Sequence, residues 1–227
     1  MIEEDLEIKK AYINKIKDMK IHYFDAYGRA EMSRMLLAHA KQPFENVNWT
    51  RETIGEIKAS GKLEFGQLPA LELADGRCLI QSLSMLRYLG RTYGYYPEDA
   101  DTAWRIDSLI DAVEDFGTKY NKFFWAGDET AKAAAKEEFF KWVPTWFAAI
   151  EKRIAANSSQ KYAVGDKQSI ADFVLASLAF DKILNDKHPT FADFAPVIAP
   201  FEVLSAYAKA QREENKEYLE SRPSHAF

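Results

Sequence analysis

A phenol at a strand end, a serine at a helix start and a proline turn are the groups in this chain whose type and spacing can do chemistry. Tyr23 lies in Lys20-Ile21-His22-Tyr23-Phe24, which reads as a strand, and the loop Asp25-Ala26-Tyr27-Gly28 follows it. Ligands gather where the strands of an open α/β sheet end. A phenol there can donate a hydrogen bond to an anion. If that anion is a thiolate, the bond lowers the thiol's pKa and makes a nucleophile near neutral pH. Tyr23 can equally be a core aromatic with its hydroxyl at the surface. The second candidate is Gln81-Ser82. Asp75-Gly76 is a hairpin signal, Cys78-Leu79-Ile80 reads as a buried strand, and Ser82 is a good N-cap for Leu83, Leu86 and Leu89 at helical spacing. The free N–H groups of that first turn, with the hydroxyl, form a receptor for a carboxylate.

Leu68-Pro69 stands just upstream of the hairpin. A proline that opens a strand cannot donate to a ladder. With a cis bond the turn would present the N–H and C=O of Leu68 to an extended peptide; with a trans bond it is an ordinary turn. Asp115, in Asp111-Ala112-Val113-Glu114-Asp115-Phe116, belongs either to a solvated acidic face or to a site for a ligand ammonium. Asp111, Glu114 and Asp115 also have the i, i+3, i+4 spacing from which a divalent cation can be held, a spacing common by chance. Together these groups describe a grip on an anionic, peptide-like small molecule.

The elements that must position them follow from hydrophobic periodicity. Residues 1–18 read as an N-terminal extension, with Leu6, Ile13 and Ile16 compatible with a weak amphipathic helix. From Met19 the pattern predicts a strand over 20–24, a helix over 29–41 and a strand over 44–49. A short helix over 51–60, a hairpin of strands 70–73 and 77–80, and a helix over 81–93 complete it. The order β-α-β-α-β-β-α gives one mixed sheet covered by helices. Gly94-Tyr95-Tyr96-Pro97 breaks the pattern, and everything beyond reads as helix: 102–124, 129–156 with a kink at Pro144, 169–184, and 196–212. Ser169 and Asp172 have the spacing of a capping box. The division is a 19–94 α/β domain and a 99–227 all-α domain.

Composition removes several classes. At 47% hydrophobic and 29% charged residues, 227 residues can fill a core. The net charge of −5 argues against general nucleic-acid binding, so an anionic ligand must be caught by local groups. No apolar run has the length of a membrane span, and the acidic start Met1-Ile2-Glu3-Glu4-Asp5 lacks a secretory h-region. Cys78, the only cysteine, excludes an internal disulfide, fits a cytoplasmic location and reads as a small buried hydrophobe. His22, His39, His188 and His225 are scattered, which points to no metal site. Phosphate-loop, dinucleotide-binding and nucleophile-elbow motifs are absent.

Taken in order, Ile21 to Glu31, Gln67 to Leu71, Gln81 to Leu89, Ile106 to Phe116 and Tyr218 to Pro223 resemble the cytosolic glutathione transferases, especially their sigma class. The resemblance runs from about Met19 to the C-terminus. It implies a thioredoxin-like N-terminal domain, an all-helical C-terminal domain, a homodimer and glutathione as co-substrate. Tyr23 falls on the tyrosine that hydrogen-bonds the glutathione thiolate, and Arg29 on an arginine that supports it. Gln81 and Ser82 fall on the γ-glutamyl contacts, and Leu68 on the residue whose backbone pairs with the cysteinyl part, before the family's cis proline, Pro69. Lys58 falls on a contact to the glycyl carboxylate. Asp115 falls on the acid that reaches the γ-glutamyl amine from the other subunit. Two positions depart from the pattern. Ile54 stands where sigma members carry tryptophan, and Gln67, kept as a contact, where a basic residue is frequent.

The function this implies is conjugation of the glutathione thiolate to small apolar electrophiles. A glutathione-dependent prostaglandin isomerase and a non-catalytic carrier or structural protein are the alternatives. Ala26, Tyr27, Trp104, Tyr120, Trp125 and Phe227 are candidate walls for the second substrate, with Trp104 and Tyr120 equally readable as core.

Overall fold

The computed structural model describes residues 19–227; the expected extension over 1–18 lies outside the described residues. The N-terminal half contains β1 (Lys20–Phe24), α1 (Glu31–His39), β2 (Glu45–Trp49), α2 (Ile54–Ala59), β3 (Ala70–Glu72), β4 (Cys78–Ile80) and α3 (Ser82–Tyr93). This is the expected order, and the sheet is thioredoxin-like and mixed, β2-β1-β3-β4. β1 runs parallel to β2 and antiparallel to β3, and β3 and β4 form the hairpin. Pairing of β1 with β3 covers only Lys20, Ile21 and His22. Tyr23 therefore lies beyond the β3 ladder, paired on one side with Asn48.

Alternation along β1 sends Ile21 into the main core with Met35, Leu36, Leu71 and Leu86. His22 points to the opposite face, where its Nε2 meets Glu72 at 2.9 Å and its Nδ1 accepts the Trp49 indole N–H at 3.2 Å. A second, smaller cluster of Ile57, Leu63 and Ala70, joined by Ile54, Leu68 and Ile80, roofs that face. Cys78 packs against this cluster only half-buried, because it sits on the edge strand β4, and not fully buried as expected.

The C-terminal half contains α4 (Ala100–Phe124), α5 (Glu129–Ala155), α6 (Ile170–Leu178), a π turn (Ala179–Ile183), α7 (Phe191–Ile198), α8 (Glu202–Glu214) and α9 (Lys216–Ser221). Asp99 and Asp128 cap α4 and α5, each accepting a backbone N–H at 2.8 Å. α5 continues as helix through Pro144. The single helix expected over 196–212 is two: Pro196 lies inside α7, and the chain breaks at Ala199–Phe201 around Pro200, which has no N–H for a helical bond. The helix expected over 169–184 likewise ends its α geometry at Leu178.

The two halves share one core. α1 packs on α6, and the Ile170 N–H bonds the Tyr95 carbonyl at 3.0 Å. Gly90 permits the approach of α3 to α6, since a Cβ there would lie 2.6 Å from the Ile170 Cγ2. Among the described residues no helix is long and apolar enough to cross a membrane.

Candidate active site

The end of β1 sets the first group. After Phe24 the chain turns through residues 25–27 into a short 3₁₀ turn, Gly28–Ala30. Gly28 has φ +46°, and a Cβ there would lie 2.6 Å from the Tyr23 Oη, so glycine is required on both counts. The turn brings the Arg29 N–H to the Tyr23 Oη at 3.2 Å. That donor engages an oxygen lone pair and leaves the hydroxyl proton for another acceptor.

A cleft of about 520 Å³ opens at this sheet edge. It gathers Arg29, Lys58, Gln67, Leu68, Pro69, Gln81 and Ser82, seven of the expected site residues, from four separate segments. The Leu68–Pro69 bond is cis. The Leu68 N–H and C=O have no partner among the described residues. Gln81, not Ser82, occupies the N-cap position of α3. It holds φ +68°, outside ordinary strand or helix geometry, and Ser82 becomes the first helical residue. The Met85 N–H makes the first bond of the helix, to the Gln81 carbonyl at 2.9 Å. The N–H groups of Ser82, Leu83 and Ser84 are thus free of intrahelical partners at the positive end of the helix dipole. Gln81 Nε2 meets Gln67 Oε1 at 3.5 Å, tying two cleft residues together.

The opposite rim comes from α4. Glu114 lines the cleft and accepts both bonds of the Arg29 guanidinium, at 3.1 and 3.3 Å. The sequence pattern marked its neighbour Asp115, which is exposed and lies outside this chain's own cleft. Adjacent helix residues point about 100° apart, so the acidic run alone could not say which carboxylate faces inward. Asp111, Glu114 and Asp115 do not converge, and among the described residues no His, Cys, Asp or Glu group suited to a metal ion gathers anywhere. Phe65, Gly66 and Ile80 also line the cleft and were not anticipated. Ile54 is there too, in the place of the expected tryptophan.

The expected aromatic walls are rearranged. Tyr27 is buried, at 6% exposure, and not an open wall. Its hydroxyl donates to the Pro223 carbonyl at 3.1 Å and accepts the His225 N–H at 3.0 Å, and the Arg222 guanidinium lies 3.9 Å above its ring. Phe227 stays half exposed while its carbonyl accepts the Tyr27 N–H at 3.2 Å. Trp104 is 65% exposed beneath the Arg153 guanidinium, ten residues and about 15 Å along α4 from Glu114. It stands outside the cleft. Tyr120 is core, at 1% exposure among Phe116, Phe123 and Phe139, and burial raises its pKa. Lys182 on the π turn, unmarked in the sequence, sits over the Tyr120 ring at 6.0 Å. Burial and, secondarily, the nearby Arg29 charge lower its pKa, against the pull of Asp181.

A thioredoxin-like sheet edge with unpaired main chain, a bare helix N-terminus and a phenol, backed by a helical bundle, is an arrangement suited to an anionic, peptide-like ligand. Residues 19–91 match the glutathione S-transferase N-terminal domain, and residues 114–222 the glutathione S-transferase C-terminal domain. The chain is 34% identical over 189 residues to glutathione S-transferase P of Bos taurus, covering 80% of this chain and 83% of that protein. Among solved structures it is similar to a major nematode-specific GST of C. elegans (TM-score 0.79, 26% identity, 92% and 99% of the two chains). It is also similar to prostaglandin synthase D of Nilaparvata lugens (TM-score 0.77, 27% identity, 92% and 100%). The chain belongs to the glutathione S-transferase family, whose co-substrate is glutathione, bound by the N-terminal domain.

Proposed function

We propose that this chain conjugates the glutathione thiolate to small hydrophobic electrophiles. The observation that carries the reading is the convergence, in one cleft beside Tyr23, of unpaired Leu68 main chain, the α3 N-terminus and the Lys58 ammonium. These groups suit the three parts of the tripeptide. Ser82 and Gln81 take the γ-glutamyl carboxylate, the Leu68 backbone pairs with the cysteinyl residue next to Pro69, and Lys58, with Gln67 beside it, faces the glycyl carboxylate. The Tyr23 hydroxyl donates to the sulfur, and Arg29 adds positive charge at the same edge. A free thiol titrates near about 8.5, and each unit by which the site lowers it requires about 1.4 kcal/mol of preferential anion binding. The thiol proton leaves to solvent. The thiolate then attacks an electrophilic carbon, forming the C–S bond as a leaving group such as halide departs with its electron pair.

The electrophile's cleft has Phe227 at its edge and Tyr27 as backing. Homodimerisation, with Asp115 reaching the ligand amine of the partner's site, a cytoplasmic detoxifying role and the division into 19–94 and 99–227 domains belong to the same proposal. A second reading, isomerisation of a prostaglandin endoperoxide with glutathione regenerated, is supported by likeness to a protein named prostaglandin synthase D. Product analysis with that substrate separates the two. The first reading is tested with Tyr23→Phe against a chromogenic aryl halide. Conjugation should fall by about tenfold or more while glutathione affinity holds, with the bound thiol titrating higher. Full activity with an unchanged thiol pKa overturns it.

A further inference from the structure

Lys182, in the π turn Ala179–Ile183, is a half-buried ammonium that no step of conjugation uses. Its Nζ has no hydrogen-bond acceptor and no ion-pair partner among the described residues, and it rests over the Tyr120 ring at 6.0 Å. The cations around it are held. Arg34 pairs with Glu31 at 3.1 Å, Arg222 with Asp181 at 2.8 Å and Arg29 with Glu114 at 3.1 Å. Asp181, next to Lys182 in the chain, has both oxygens engaged: Oδ1 accepts from Arg222, and Oδ2 accepts the Ser177 hydroxyl at 2.7 Å. Drawing an ammonium out of water without a carboxylate against it is costly. Burial, with the Arg29 charge adding to it, already pushes the Lys182 pKa down. An anion seated there would offset both. The flanking segments show where one would come from. Arg29 lines the cleft beside Tyr23. Asn185, three residues beyond Lys182, donates to the His225 and Ala226 carbonyls at 3.2 and 3.5 Å, which lays the chain leading to Phe227 along the π turn. Lys182 is thus flanked by the Arg29 corner, by Tyr120 on α4 and by the 225–227 segment, around the space that the conjugation reading gives to the electrophile.

We propose that Lys182 sets substrate specificity: its ammonium takes a carboxylate carried by the electrophile, remote from the reacting carbon, so that acidic electrophiles are preferred over neutral ones. The proposal rests on the conjugation reading and names the substrate class of the same site. The experiment compares 4-chloro-3,5-dinitrobenzoate with 4-chloro-3,5-dinitrobenzamide. In both, the glutathione thiolate adds at the chlorine-bearing carbon, the C–S bond forms and chloride leaves with the C–Cl electron pair. The group para to chlorine takes no part in that exchange. With each kcat/KM divided by the rate constant of the uncatalysed reaction with glutathione, the carboxylate should be favoured about tenfold or more, the scale of a hydrogen bond to a charged group. Lys182→Met should remove that preference, with the loss in KM and not in kcat, because the carboxylate is bound equally before and during reaction. Its melting temperature should hold or rise, since an ammonium without a carboxylate partner has gone. Equal normalised rates in the wild type overturn the proposal. So does a preference that survives Lys182→Met, a loss confined to kcat, or a lowered melting temperature with the preference intact, which would mean that Lys182 only covers the Tyr120 ring. A measurement without turnover stands beside these. By calorimetry on the glutathione-saturated chain, 3,5-dinitrobenzoate should bind about tenfold tighter than 3,5-dinitrobenzamide, and equal affinities overturn the proposal. Conjugation of neither chloro compound refutes the conjugation reading, and the calorimetric difference then decides the role of Lys182 by itself.

Discussion

The Tyr23 hydroxyl accepts the backbone N–H of Arg29 at 3.2 Å, while the Arg29 guanidinium is held by Glu114 across the cleft. One residue thus orients the phenol through its main chain and ties the sheet edge to α4 through its side chain. The arrangement depends on the turn at Gly28, and it makes the position of the phenol separable from its chemistry.

That separation can be read from Gly28→Ala. The new Cβ would fall 2.6 Å from the Tyr23 Oη at a backbone φ of +46°. Left-handed geometry costs a non-glycine residue roughly 1–2 kcal/mol, and relief of the clash moves the ring. We expect a modest fall in melting temperature and a larger fall in kcat, with glutathione affinity by calorimetry nearly unchanged. A variant with native kcat would show that the Arg29–Tyr23 geometry is irrelevant to turnover.

Glu114→Gln addresses the charge balance of the cleft. Arg29 and Glu114 side chains are 50% and 37% exposed, so the pair should contribute only about 0–1 kcal/mol to folding. Removing the carboxylate leaves the Arg29 charge uncompensated beside the thiol. Greater positive potential favours the thiolate, so the half-maximal pH of conjugation should move down, and Arg29→Leu should move it up. The pH–rate profile of aryl halide conjugation measures both; shifts in the same direction would contradict the argument.

Legibility in the sequence followed the range of the interactions. Gln81, Ser82, Leu68 and Pro69 were readable because a hairpin signal, a helix start and a proline turn are local features, and all four line the cleft. Which carboxylate of the 111–115 run faces inward was not readable, since helix rotation is set by packing against α5 and α6. Tyr27 escaped for a different reason. Its partners Pro223 and His225 lie 196 and 198 residues away, and no periodicity reports such a contact. The breaks at Leu178 and Pro200 lie within apolar runs that look continuous to a 3.6-residue count.

Asp172 offers a prediction about folding alone. The capping box expected from Ser169 and Asp172 is present, and the carboxylate does more than cap. Its Oδ2 accepts the Ser169 N–H at 2.8 Å and the Ser169 hydroxyl at 2.9 Å. Its Oδ1 accepts the Ala163 N–H at 2.7 Å and the Tyr207 hydroxyl at 2.8 Å. Asp172→Ala strips four buried donors of their acceptor, each worth about 1–3 kcal/mol when orphaned, beyond a cap worth about 1 kcal/mol. Urea denaturation should register a loss of about 3 kcal/mol or more. The glutathione KM of the folded fraction should not change, because no cleft residue touches Asp172.

His188 sets an acid limit. It is 3% exposed, with Nδ1 accepting the Thr190 N–H at 3.3 Å and Nε2 facing the Tyr120 hydroxyl at 3.4 Å, a pattern that suits the neutral ring. Burial, aided by the Lys182 charge, pushes its pKa down to about 4. In the unfolded chain histidine titrates near about 6.5. Between these two values the unfolded state holds a proton that the folded state refuses, so stability falls as pH drops from about 6.5 to about 4 and levels off below. The slope from this one group is at most about 1.4 kcal/mol per pH unit. His39 is also lowered by burial, so wild type alone does not isolate the effect. The difference between wild type and His188→Asn does. Their urea midpoints should converge as pH falls from about 7 to about 4.5, and a constant gap across that range would remove His188 from the acid response.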